Sequence, residues 1–190
     1  MASVTDIINR AAQHLGAKKV SSIDENSTLA IDFRTCYETL RDAELSKHRW
    51  SFAIQRASLA ADSPAPTWGR ANSFTLPADC LQVIPPYPED DTVDRDWVLE
   101  SNKIITEDDA PLYLRYIARI SDANQMHVLF REALACSIAL ALCEKVTQSN
   151  SKKVKLEEDY DKAIKEAKRI SAIQNVPAKS PDDTWITVRY

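Results

Sequence analysis

The run Ala133-Leu-Ala-Cys-Ser-Ile-Ala-Leu-Ala-Leu-Cys143 constrains this chain more than any other feature, because it is apolar on nearly every side. A helix without a polar face has to be enclosed by other elements. The fold is therefore expected to be built around a central core helix running from about Met126 to Val146. Asp122, with Gln125 three residues on, supplies an N-cap signal before it. The apolar run is far short of the ~20 residues of a membrane span.

The elements that enclose it are also legible. Val4, Ile7, Ile8, Ala11, Ala12 and Leu15 make one helical stripe, opened by a Ser3–Asp6 capping box and stopped at Gly16. A second helix follows Ser27, with Ala30, Phe33, Cys36, Tyr37, Leu40 and Ala43 on one face, and runs out near His48. A charged helix from about Ser151 to Ile173 carries a narrow stripe of Tyr160, Ala163, Ile164, Ala167 and Ile170. Its acids Glu157, Glu158, Asp159 and Asp161 alternate with lysines and read as a solvated, salt-bridged face. Between the helices the character changes, since seven of the nine prolines lie from Ser63 to Pro111. β-type runs sit among them at Asn72–Leu76, Leu81–Ile84, Trp97–Glu100, Lys103–Thr106 and Leu112–Ile120, with Ser101-Asn102 as a hairpin turn. The expected architecture is α+β, mainly α: N-terminal helices over 1–62, a small antiparallel β-rich insertion over 63–121, core and charged helices over 122–173, and an extended tail over 174–190.

Composition excludes several functions. Two glycines, Gly16 and Gly69, leave no G-x-G-x-x-G and no G-x-x-x-x-G-K-[ST], so dinucleotide and P-loop phosphate cradles are ruled out. Cys36, Cys80, Cys136 and Cys143 form no C-x-x-C, and no signal peptide precedes them. Cys136 and Cys143 on one helix stand about 10 Å apart, beyond the ~7 Å limit for a disulfide. They read as small buried hydrophobes of a soluble protein made in a reducing compartment. His14, His48 and His127 are scattered along the chain with no zinc-type spacing, and each reads as a surface or capping residue near a helix boundary. No cofactor or metal is expected. A serine nucleophile lacks its G-x-S-x-G elbow. The acids Glu89, Asp90, Asp91, Asp94 and Asp96 lack the glycine of a calcium loop and read as an acidic surface loop. A carboxylate pair of glycosidase type is formally open to any acidic chain. Net charge −4 does not suit nucleic-acid binding as a primary role.

The terminus is different again. Val176-Pro-Ala-Lys-Ser-Pro181 cannot continue a helix, and it leads into Thr184-Trp-Ile-Thr-Val-Arg-Tyr190, aromatic and β-branched. Trp185, Ile186, Val188 and Tyr190 are either strapped to their own domain or given to a neighbouring subunit or partner, where they are suited to adding a strand or inserting anchors. A compact core with such a terminus favours an assembly protein over an enzyme.

The order of these features resembles the head-to-tail adaptor (tail tubular protein A-like) family of short-tailed bacteriophages and prophages. The residues carrying the resemblance are Ala12-Gln-His-Leu-Gly-Ala17, Ser22-Ile-Asp-Glu-Asn-Ser27, Leu40-Arg-Asp-Ala-Glu-Leu45 running into Trp50-Ser-Phe-Ala53, and Phe74-Thr-Leu-Pro-Ala-Asp-Cys80 with Val83. Leu112-Tyr-Leu-Arg-Tyr-Ile-Ala-Arg119 and Phe130-Arg-Glu-Ala-Leu-Ala135 complete the series. The middle region is more compact, and the carboxy-terminal extension briefer, than in longer members. The resemblance implies a virion structural protein at the head–tail junction, assembled in the host cytoplasm. It would be a helical bundle with a small β domain projecting from it, forming a non-enzymatic ring, commonly of twelve copies, either by itself or from monomers that meet the portal. It would bind the portal protein, carry the tail nozzle or tube, and extend the channel through which phage DNA passes without specific binding. An acidic wall would keep such a channel from retaining DNA, because duplex is held by Lys and Arg contacts to phosphate; the loop with Glu89, Asp90, Asp91 and Asp94 either supplies it or lies outside the channel. The alternatives from other classes are a tail-associated peptidoglycan hydrolase and a generic oligomeric scaffold.

Overall fold

The computed structural model describes residues 2–84 and 97–174. The first helix, α1 (Val4–Leu15), starts with the expected reciprocal capping box between Ser3 and Asp6. It ends at Gly16, whose φ of +71° is the left-handed conformation that glycine adopts without a Cβ penalty. Helix α2 (Thr28–Ser46) is capped by the Ser27 hydroxyl. Helix α3 (Val128–Thr147) is the central element, and every residue from Ala133 to Ala139 is buried. Helices α1, α2 and α4 (Asn150–Gln174) all pack on it, which answers the requirement that an all-apolar helix be enclosed. At about 1.5 Å per residue, the 25 residues of α4 span roughly 37 Å.

The β part comprises two three-stranded antiparallel sheets. Strands β1 (Ile54–Leu59), β6 (Leu112–Ala118) and β3 (Cys80–Ile84) form one, in the order β1-β6-β3. Strands β2 (Asn72–Thr75), β5 (Lys103–Thr106) and β4 (Trp97–Glu100) form the other, in the order β2-β5-β4. Ser101 and Asn102 both take positive φ, 45° and 65°, and join β4 to β5 as the expected two-residue hairpin turn.

Four expectations are corrected. One small sheet becomes two. Strand β1 falls inside the segment read as N-terminal helices: Ile-Gln-Arg-Ala-Ser-Leu is too polar to signal a strand, and pairing with β6 supplies what its pattern lacks. Strand β6 ends at Ala118, two residues short of the expected Leu112–Ile120 run. Finally, α3 is capped by His127 Nδ1, which accepts from the Leu129 amide at 3.3 Å. Asp122 instead caps its own short turn, accepting from the Asn124 amide at 2.9 Å.

Trp50 sits at the junction of helices and sheets. Its ring is 1% exposed, meets Phe130 of α3 edge-on at 5.0 Å and lies 6.0 Å from Phe52. Its indole N–H donates to the Glu44 carbonyl at 2.9 Å, satisfying a carbonyl in the last turn of α2, where no glycine cap is present. The far end of α4 is tied to the same junction, since Ser51 Oγ donates to Gln174 Oε1 at 2.9 Å.

Candidate functional site

The residues singled out from sequence as partner-binding, Trp185, Ile186, Val188 and Tyr190, lie outside the described residues, as do the acids Glu89, Asp90, Asp91 and Asp94. Three features stand out among the residues that are described.

The first lies between α1 and α3. Arg10 and His14 are four residues apart on α1, and Glu132 and Cys136 four apart on α3, so each pair shares a helix face. The packing of α1 on α3 brings the two faces together. Arg10 Nε and an Arg10 terminal nitrogen grip the Glu132 carboxylate at 2.8 to 3.1 Å. His14 Nε2 stands 3.0 Å from Glu132 Oε1 and 3.6 Å from Cys136 Sγ. The Arg10 hydrogen bonds, with help from His14, hold the Glu132 carboxyl below its ordinary range, whereas burial pushes the Cys136 thiol up to about 11. A thiol so held is no nucleophile by itself. His14 was read from sequence as a surface or capping residue, and its partners are more than a hundred positions away. The i,i+4 pairs were visible, but which helix faces which is a tertiary fact.

The second is a buried carboxylate. Glu44 is 1% exposed and accepts from Ser137 of α3 at 2.8 Å, from Lys47 at 2.8 Å and from the Tyr160 hydroxyl of α4 at 3.0 Å. One side chain thus ties three helices. Near it His48 packs edge-on against Trp50 at 4.8 Å, with Nε2 buried and lacking a hydrogen-bond partner. Burial first, then the charge of Lys168, lowers its pKa from the ordinary 6.5. An unfolded chain therefore takes up this proton at a higher pH than the folded one. The stability contributed by neutral His48 is complete above pH 6.5 and is lost as pH falls through that value. Denaturant unfolding is expected to show stability falling as pH drops below about 6.5 toward the lowered folded-state pKa, a fall that His48→Gln reduces. Glu132 adds little in that window, because its lowered pKa matters only as pH approaches its ordinary 4.5.

The third is apolar surface on the β part. Trp68, in the connection between β1 and β2, is 87% exposed; Tyr113 is 73% and Leu99 50%. The base of the Trp68 connection is pinned: Asp62 accepts from Thr75 at 2.9 Å and pairs with Lys103 at 2.9 Å. A half-open crevice of ≈ 20 Å³ lies among Val83, Trp97, Ile104, Asp108, Leu112, Tyr113 and Leu114. That holds about one water and no ligand. No helix among the described residues is long and apolar enough to cross a membrane.

Comparison with protein-family models and with curated proteins returns no match to this chain.

Proposed function

We propose that this chain is the head-to-tail adaptor of a short-tailed phage or prophage, a non-enzymatic ring subunit that docks on the portal, extends the DNA channel and carries the tail nozzle or tube. The observation that carries the reading is the surface of the β part. Trp68, Tyr113 and Leu99 stand in solvent on the β part, and exposed Trp and Tyr are the side chains that anchor protein interfaces. The resemblance supplies the kind of partner, and the α+β architecture with its helical bundle agrees with what that resemblance implies.

The terminal segment completes the proposal. Trp185, Ile186, Val188 and Tyr190 engage the portal or the next copy in the ring. Pro177 and Pro181 restrict the unbound chain and lower the ordering cost of binding.

Mass photometry of the full chain, alone and with its cognate portal, tests this. The expected result is a ring, or a monomer that becomes a ring on the portal. Deleting residues 176–190 is expected to leave circular dichroism and Tm unchanged while ring formation is lost. A full chain indifferent to the portal overturns the adaptor reading. A deletion that unfolds the monomer overturns the role given to the tail.

A further inference from the structure

We propose that His14, Glu132 and Cys136 form a zinc site that staples α1 to the central helix α3. The proposal is independent of the adaptor reading.

The geometry is that of a site for a four-coordinate ion. The three ligand atoms lie within 4.8 Å of one another. A tetrahedral Zn²⁺ with bonds of about 2.0 to 2.3 Å holds its ligand atoms roughly 3.3 to 3.6 Å apart. The Cys136–His14 separation of 3.6 Å already meets that spacing, and the His14–Glu132 separation of 3.0 Å has to open by a few tenths of an ångström. Imidazole, thiolate and carboxylate together select Zn²⁺ over Mg²⁺ or Ca²⁺, which take oxygen ligands. Three protein ligands leave the fourth position to water.

The surroundings suit the ion as well. Arg10 holds both Glu132 oxygens, Oε1 at 2.8 Å and Oε2 at 2.9 Å, and Oε1 is also the oxygen facing His14, so a metal there shares that oxygen with the guanidinium while the Oε2 contact keeps the carboxylate aimed. The carboxylate and the thiolate offset the two charges of the ion, with Arg10 leaving one positive charge on the cluster. On binding, the Cys136 S–H bond breaks, a zinc–sulfur bond forms, and the proton leaves to solvent. His14 offers the Nε2 lone pair and keeps its proton on Nδ1. Entry is from the solvent side, where the Glu132 side chain is 35% and that of His14 16% exposed.

The test is titration of the chelator-treated full chain with Co²⁺, read in the near-ultraviolet and visible. Expected are one equivalent bound, a thiolate-to-cobalt charge-transfer band, the intense visible bands of four-coordinate cobalt, and displacement by Zn²⁺ with a raised Tm. Cys136→Ala removes the charge-transfer band, and His14→Gln weakens cobalt binding by about 100-fold or more. A chain that takes up neither ion overturns the proposal and leaves the cluster as an ion-pair clamp. So does a charge-transfer band that survives in Cys136→Ala, since it places the metal on Cys36, Cys80 or Cys143. If Cys136→Ala does not fold, His14→Gln decides, and unchanged cobalt affinity in it overturns the site.

Discussion

Trp50→Ala is expected to destabilise the chain by about 4 to 5 kcal/mol, the cost of removing a large ring from a closed core. The side chain is 1% exposed and touches His48, Phe52 and Phe130, so the surrounding rings are too rigidly interlocked to collapse into the space. The indole N–H also caps the Glu44 carbonyl at 2.9 Å, and that carbonyl is left without its donor. For a chain of this size the change lowers Tm by roughly 10 to 15 °C. Trp50→Phe separates the two contributions, because it keeps most of the ring contact and loses only the donor; its cost is expected near 2 kcal/mol. Urea unfolding of both variants checks this. Equal losses would mean that the hydrogen bond, rather than the ring, holds the junction.

This result bears on what the sequence resemblance measures. Trp50 and Ala53 of the Trp-x-Phe-Ala element are core residues where the last turn of α2 hands the chain to β1. Phe74 and Leu76 of the Phe-Thr-Leu-Pro-Ala-Asp segment are buried in the same way. Asp79 of that segment accepts from the Tyr116 hydroxyl at 3.2 Å, and its carbonyl accepts from the Arg119 amide at 2.7 Å. These motifs therefore specify joints between elements. They speak to the fold directly and to partners only through it, and for that reason the portal experiment is needed.

The helices were legible because their signals are local. Ser3 with Asp6, Gly16 and Ser27 act within one turn, and the stripe of α1 and the enclosed run of α3 need only the helical period. Strand β1 was not legible, because its partner β6 lies more than fifty residues away and its own residues are half polar. The cluster of His14 with Glu132 and Cys136 was hidden for the same reason. Exposure of Trp68 was equally out of reach: a tryptophan in sequence reads as core until the core is shown to be filled without it.

Glu44 shows how a helical stripe misleads, and it supplies the second large effect. Sequence placed Ala43 on the inner face of α2 because it is the small apolar residue there, yet Ala43 is exposed and Arg41, Glu44 and Leu45 are buried. Angle decides: Glu44 lies eleven residues beyond Phe33, about three full turns, so it returns to the same face. Glu44→Ala is expected to cost about 3 to 5 kcal/mol, because Ser137 in the apolar centre of α3 and the Tyr160 hydroxyl both lose their acceptor. Glu44→Gln keeps the shape and one acceptor oxygen, and is expected to cost about 1 to 2 kcal/mol. Lys47→Met is expected to cost less than Glu44→Ala, because the buried Glu44 carboxylate loses its cation but keeps the Ser137 and Tyr160 donors. A larger loss for Glu44→Ala than for either Glu44→Gln or Lys47→Met is what equilibrium urea unfolding should return. A Lys47→Met loss as large as that of Glu44→Ala would show instead that charge pairing, and not the hydrogen-bonded joint of three helices, is what this carboxylate contributes.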